Sequence, residues 1–465
     1  MRFAKTTSFL ILIALLATSG FGCKLASQEE QQAQKPITLE FWGVYDESDL
    51  IEPFITAYRT KHPNVTINYK MLRFEEYENE LLNALAEDRG PDIFSVHNHW
   101  IRGYVPKISP LPPELTIAYI ERSGGALGQE TTVTIRKERT ITLRQLRDGF
   151  VEVVYNDAVV PIWNEKEEAY ENKIVALPLS VDTMALYYNR DILNAAGLAQ
   201  PPAAWTTFQE QVKTITRLDA DGDIAQSAAA IGTASNVERY TDIVSILMMQ
   251  NGTEMTNEAG FATFNKIPSA LSGRDEPPGW GALRFYTDFA NPSKEVYTWN
   301  DNFTNSLDAF VTGQTAFFFG YSYHLSQIRA KAPKLNFGIA KLPQLEGNPE
   351  VNYANYWMHT VSAKSENSDY AWDFIQSMAD ANNVKNYLDA AKKPTALRSL
   401  QAEQLEDIDL SVFASQILTA KSWYRGKDWE AVEEAFADMI DSLVYGTMEI
   451  KDAINLAVSR VNQTL

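Results

Sequence analysis

Cysteine is almost absent from this chain of 465 residues: Cys23 stands alone, so no intramolecular disulfide can brace the fold. Positive charge is in deficit, with 41 Lys and Arg against 60 Asp and Glu and a formal net charge of −19. Such a surface repels nucleic acid and anionic lipid and disfavours anionic ligands at long range. The apolar run at residues 9–17 falls short of the roughly 20 residues that a membrane-spanning helix needs. Catalytic signatures are missing as well. The chain carries no G-x-S-x-G, no HExxH, no Walker loop and no dinucleotide fingerprint. Acidic residues at this density could supply a glycosidase-like carboxylate pair, yet nothing marks two of them out. Neither an enzyme nor a cofactor is therefore expected.

What is present is ordinary in bulk: 45% hydrophobic and 22% charged residues, at a length that implies two or three domains. Aromatics are the exception, with 10 Trp, 21 Tyr and 22 Phe. They fit either large cores or an aromatic-lined site. At the N-terminus Arg2 and Lys5 precede the apolar run, and Thr18-Ser19-Gly20 follow it, the layout of a secretory signal. Cys23 right after such a run resembles the lipobox of bacterial lipoproteins, in which the Cys becomes the lipidated first residue. Gly22 fits that pattern; Gly20 and Phe21 depart from it. Residues 1–22 are thus expected to be a signal peptide, and residues 23–36 a lipidated Cys and a polar, Gln-rich tether. Losing Arg2 and Lys5 with the signal takes the formal charge to about −21.

The stretch 173–193 organises the remainder. Residues 174–179 form a β-compatible run broken by Pro178, which demotes it to a sheet edge or exit. Residues 184–188 read as a buried strand, and Asn189-Arg190-Asp191 opens a turn into a helical pattern. One strand leaving a sheet and another entering one suggest a crossing between two bodies, with the function in the cleft between them. Upstream, residues 37–41, 65–69 and 92–96 read as strands, and residues 50–60 and 77–86 as amphipathic helices. This β-α-β-α-β order implies a parallel sheet whose ligands bind beyond the carboxyl ends of the strands. Residues 131–141 could make a hairpin, and residues 143–154 have a helical period. The acidic run Leu218 to Asp223 lacks the Gly and Glu of a calcium loop and reads as a turn.

Several segments together carry a family resemblance. They are Phe41-Trp42-Gly43, Lys61-His62-Pro63-Asn64-Val65, Gly90-Pro91-Asp92-Ile93, Ala176-Leu177-Pro178-Leu179, Leu186-Tyr187-Tyr188-Asn189-Arg190-Asp191, Ala196-Gly197-Leu198, Pro201-Pro202 and Trp205. In this order and spacing the chain resembles bacterial extracellular solute-binding proteins of the sugar-binding family, the maltose-binding-protein-like receptors of ABC importers. The resemblance runs from about residue 37 to the C-terminus. It implies an α/β, two-lobed periplasmic-binding-protein fold of type II: two parallel-rich sheets flanked by helices, with three hinge crossings. One lobe would take residues 37–178 and 359–400, the other residues 179–358 and 401–465. Residues 120–140 look longer than the family's connection there and are read as an insertion.

A cleft between such lobes would offer Trp42, Trp100, Tyr321, Tyr323, Trp357 and Trp423 as aromatic faces, with Asp46, His97, Asn98 and Asp182 as polar partners. Sugar rings have apolar CH faces that stack on aromatics and a hydroxyl rim that hydrogen-bonds. For each aromatic a core role competes with a ligand role. His97 and His99 could face the same way, but two ligands fall short of a metal site, so none is expected. The resemblance implies a monomeric, membrane-anchored extracytoplasmic lipoprotein, in the periplasm or at the cell surface, that binds a sugar or oligosaccharide and delivers it to ABC permease subunits. Two alternatives stay open: a receptor for a peptide, polyamine or glycerol phosphate, and a secreted carbohydrate-active enzyme.

Overall fold

Alternating burial builds the first strand: Leu39 and Phe41 of β1 (Ile37–Val44) are fully buried while their neighbours Thr38 and Glu40 reach solvent. The computed structural model describes residues 35–125 and 128–465. The signal, Cys23 and most of the tether expected above therefore lie outside the described residues. Helix α1 (Ser48–Lys61) buries Ile51, Phe54, Ile55 and Tyr58, the stripe that its helical spacing predicts. Each such side chain contributes about 1.5–3 kcal/mol relative to exposure. β2 (Val65–Leu72), α2 (Phe74–Ala86) and β3 (Ile93–His97) complete the opening unit.

Next comes a long hairpin, β4 (Glu114–Gly125) and β5 (Gly128–Arg139), paired from Glu114↔Arg139 to Gly125↔Gly128. The run expected to fold on itself is one arm of this larger ribbon. Its base docks through the Thr116 amide on Asp369 and the Ala118 amide on the Tyr370 hydroxyl. The helix expected over residues 143–154 is two helices, Leu143–Gly149 and α3 (Glu152–Ala158), parted where Phe150 turns extended and bridges to Leu397. A shorter hairpin, β6 (Val159–Asn164) and β7 (Ala169–Ile174), leads to β8 (Leu177–Pro178).

β9 (Asp182–Thr183) and β10 (Ala185–Asn189) carry the chain into a second body. There α4 (Trp205–Ile215), β11 (Arg217–Leu218), β12 (Ile224–Ala229), α5 (Tyr240–Gln250), β13 (Thr315–Gly320) and β14 (Phe337–Lys341) follow. β15 (Asn352–Asn355) and β16 (Trp357–Val361) return to the first body, which α6 (Ser368–Ala379) and α7 (Ala381–Ala391) cover. Then α8 (Ser411–Gln416), β17 (Ala420–Lys421), α9 (Trp429–Val444) and α10 (Ile450–Asn462) finish the chain.

Two five-stranded sheets result, ordered β2-β1-β3-β16-β8 and β11-β12-β13-β10-β14. Separate buried clusters surround them, one around Phe41, Phe94 and Phe374, and one around Phe208, Phe319 and Phe436. A third fills the other face of the second sheet with Tyr187, Phe310, Phe318 and Phe413. Pro178 sits on the edge strand of the first sheet, the place where a residue without an N–H is tolerated.

Most strands of each sheet run one way, as expected, but each sheet also holds strands of the opposite sense. β1 pairs in parallel with β2 and β3, while β16 lies antiparallel between β3 and β8, so β8 runs the same way as β3. In the second sheet one pairing, β12 with β13, is parallel. The reason is the crossings. β1, β3 and β13 end at the edge that faces the other body, whereas β16 and β10 have just arrived from that body and start there, so they run the opposite way. Between the bodies, β17, β15 and β9 form a three-stranded sheet, β15 binding both of the others.

Candidate functional site

Because β1, β2 and β3 are parallel, their carboxyl ends share one edge, and β16 begins at that edge with Trp357 opposite His97. An aromatic floor collects there. Tyr45 follows β1 and Phe74 follows β2; their rings stack at 5.7 Å and 19°. Phe74 lies parallel to Trp100 at 6.3 Å and 16°. Trp357 stands across all three, at 70° to Tyr45, 87° to Phe74 and 83° to Trp100. Tyr45 is 58% and Phe74 44% exposed, high for such rings. Tyr45 also holds a left-handed backbone, φ 65°, a conformation that costs a bulky residue energy and clusters at functional positions.

His97 supports this floor. Its Nε2 lies 3.1 Å from Asn355 Oδ1, its ring packs edge-on against Trp357 at 5.2 Å, and burial pushes its pKa down to about 3. It is therefore neutral at ordinary pH. Next to it His99 is buried, its ring 3.8 Å from Trp429 of α9 and its Nε2 3.3 Å from the Tyr353 hydroxyl. Among the described residues no three His, Cys, Asp or Glu side chains are grouped to hold a metal ion.

The opposite wall is built where β13 ends. A Cβ on Gly320 would lie 2.6 Å from the Phe318 ring and 2.9 Å from His324 Nδ1, so glycine lets the chain turn into Tyr321, Ser322 and Tyr323. Tyr321 is buried and its hydroxyl donates to Asp242 at 2.6 Å. Tyr323 stacks on it at 5.9 Å and 16° and is 41% exposed. Asp182, in the first crossing, accepts from the Ser322 amide at 2.9 Å and hydroxyl at 2.6 Å. Burial outweighs those bonds and raises its pKa to about 7. Arg239 and Glu238 complete the wall. The Arg239 charge acts across the gap on Tyr45, His97 and His99.

The predicted residues thus divide. His97, Trp100 and Trp357 meet in the floor; Asp182, Tyr321 and Tyr323 meet in the wall. Trp42 lies inside β1, partly buried under the Lys70 ammonium at 4.5 Å. Asp46 is tied to Lys393 at 2.6 Å and to the Tyr387 hydroxyl at 3.0 Å, joining the end of β1 to the segment after α7. Asn98 is buried and donates to Asp157 at 3.2 Å. Trp423, expected at the cleft, instead packs in the second core: it is 4% exposed, its Nε1 donates to Ser245, and its ring lies 6.0 Å from Phe436.

Sequence reasoning missed Tyr45, Phe74, Glu238 and Arg239. β1 runs three residues past its expected end and β2 likewise, so the residues at the strand ends are Tyr45 and Phe74 rather than Trp42 and its neighbours. Chemically, the floor can stack apolar ring faces while the wall supplies hydrogen-bond donors and acceptors.

Relatives fit this geometry. A galactooligosaccharide-binding protein of Bacillus subtilis (strain 168) is 22% identical over 405 residues, covering 86% of this chain and 82% of its own. A cyclic alpha-maltosyl-1,6-maltose binding protein from Arthrobacter globiformis matches in structure with a TM-score of 0.71 at 18% identity, covering 92% of this chain and 99% of its own. The sugar-binding protein MalE from Xanthomonas citri matches with a TM-score of 0.69 at 16% identity, covering 92% and 97%. These likenesses show the two-lobed fold of that class. The family model for bacterial extracellular solute-binding proteins matches residues 45–385. The chain belongs to the bacterial extracellular solute-binding proteins.

Proposed function

We propose that this protein is an extracytoplasmic receptor that binds a neutral carbohydrate between its lobes and delivers it to an ABC permease. The observation that carries the reading is the floor of Tyr45, Phe74, Trp100 and Trp357 at the carboxyl edge of the first sheet, where apolar sugar faces would stack. The lobes would divide as residues 37–178 with 359–400 and residues 179–358 with 401–465. Closure over the ligand would follow from its extra affinity for the closed state. A monomer anchored by lipid on Cys23 completes the reading, and Cys23→Ser is expected to release the protein from membranes. Retention of that variant on membranes would overturn the anchor.

A thermal-shift screen of mature protein tests the ligand class, with mono- and oligosaccharides, peptides, polyamines and phosphate esters as arms. A neutral sugar at about 100 times its Kd should add ~2.7 kcal/mol of stability. Trp357→Ala should weaken that sugar tenfold or more. A shift by a peptide or polyamine with none by any sugar sinks the carbohydrate reading.

A further inference from the structure

Arg239 holds a left-handed backbone, φ 59°, immediately before α5. Its Nε donates to Asp242 Oδ2 at 2.7 Å and its Nη2 lies 2.7 Å from the same oxygen. Asp242 is fully buried and also takes the Tyr321 hydroxyl, so it fixes the guanidinium from below. Among the described residues Nη1 has no hydrogen-bond partner, and Nη2 makes no aligned bond. The adjacent Glu238 is fixed in a similar way. His324 is buried and its Nδ1 accepts from the Tyr321 amide at 2.9 Å, which places its proton on Nε2. That Nε2–H donates to Glu238 Oε2 at 3.0 Å. The second carboxylate oxygen has no hydrogen-bond partner among the described residues. One donor and one acceptor are thus held on adjacent residues, and the Arg239 charge reaches Tyr45, His97 and His99 of the floor.

We propose that Glu238 and Arg239 are the specificity-determining pair of the cleft, reading neighbouring hydroxyls of an uncharged sugar, with Asp242 and His324 as their positioning residues. The inference rests on the carbohydrate reading above. Vicinal hydroxyls offer one group to accept from Arg239 and one to donate to Glu238. The carboxylate of a uronate offers acceptors only, and where it takes the place of a hydroxyl it meets the Glu238 carboxylate beside a guanidinium whose charge Asp242 already balances. An unpaired partner in such a site is costly, which is how hydroxyl recognition discriminates.

Titration calorimetry with a neutral tetrasaccharide found in the screen, and with an oligogalacturonate of the same length, tests this. Wild type should bind the neutral sugar and reject the uronate. Arg239→Gln and Glu238→Gln should each lose tenfold or more for the neutral sugar. Asp242→Asn, which frees the Arg239 charge, should move the uronate-to-neutral ratio towards the uronate by tenfold or more, and Glu238→Gln should move it the same way. Glu238 is a partly exposed side chain, so that variant keeps the charge test open if Asp242→Asn does not fold. Losses within twofold, or an unmoved ratio, overturn the assignment while the sugar reading stands. Wild type that prefers the uronate overturns it too. Absence of any sugar binding to wild type overturns both.

Discussion

Asp182 is a carboxyl whose surroundings disagree. Three N–H and O–H groups, from Ser322 and Thr183, favour its charged form, while burial opposes it more strongly and lifts the pKa from 3.8 to about 7. Between those values the folded chain keeps a proton that the unfolded chain has released. Stability from this group is thus present below about pH 4 and is lost as pH rises through 7. Asp182→Asn cannot titrate, so its melting temperature should gain on wild type between pH 5 and pH 8, whatever constant offset the altered hydrogen bonds impose. A difference that stays flat or moves the other way would contradict the assignment. Measuring a difference matters because the histidines pull in the opposite sense. All five are buried and held below their ordinary value, His97 at about 3 and His359 at about 4. Their unfolded forms take protons from about pH 6.5 downward, so the stability they contribute is lost as pH falls.

Elements were more legible than sites. Strong periodicity marked α1, α2, α6 and α9, and the buried runs marked β10 and β13, because burial stripes follow the helix and strand periods directly. Strand ends were not legible. Trp42 to Val44 carry no polar side chain and Lys70 to Leu72 end on two apolar ones, so the alternation fades there, while parallel pairing with each other keeps both segments extended. That slip moved attention from Tyr45 and Phe74 to Trp42. Trp423 was misplaced for a related reason. An aromatic just before an amphipathic helix can serve a core or a cleft, and the Ser245 hydroxyl that satisfies its indole N–H lies 178 residues away in sequence. Glu238 and Arg239 carry no local signal, since their roles come from Asp242, His324 and a turn held by Gly320. The sense of the crossing strands was hidden too, because direction depends on where a strand enters rather than on its composition.

At the scale of the molecule, a buried ion pair spans the two bodies. Asp157 of α3 lies 2.5 Å from Arg425, which follows β17, and also accepts from Ser422 at 2.6 Å, Tyr356 at 2.7 Å and Asn98 at 3.2 Å. The carboxylate is fully buried. Removing only the cation strands it, at a cost of roughly 3–5 kcal/mol, whereas removing both charges is far milder. Arg425→Gln should therefore lower the melting temperature by more than Asp157→Asn/Arg425→Gln does. It should also raise the radius of gyration of the ligand-free protein in X-ray scattering, as the lobes separate. Equal losses in single and double variants, with unchanged scattering, would show that the pair does not clamp the bodies.

The entry of β16 between β3 and β8 bears on synthesis and export. β3 is made by residue 97, yet the neighbour that completes its hydrogen bonding is residues 357–361. A chain emerging from its N-terminus therefore cannot close its first core until some three-quarters of it has been made, and the loop to be closed is among the slowest kinds to form. Delay of this sort keeps a chain threadable while it crosses a membrane. It also leaves β3 with an open edge during that interval, a period in which holding factors, rather than the fold itself, must keep the chain from pairing with its neighbours.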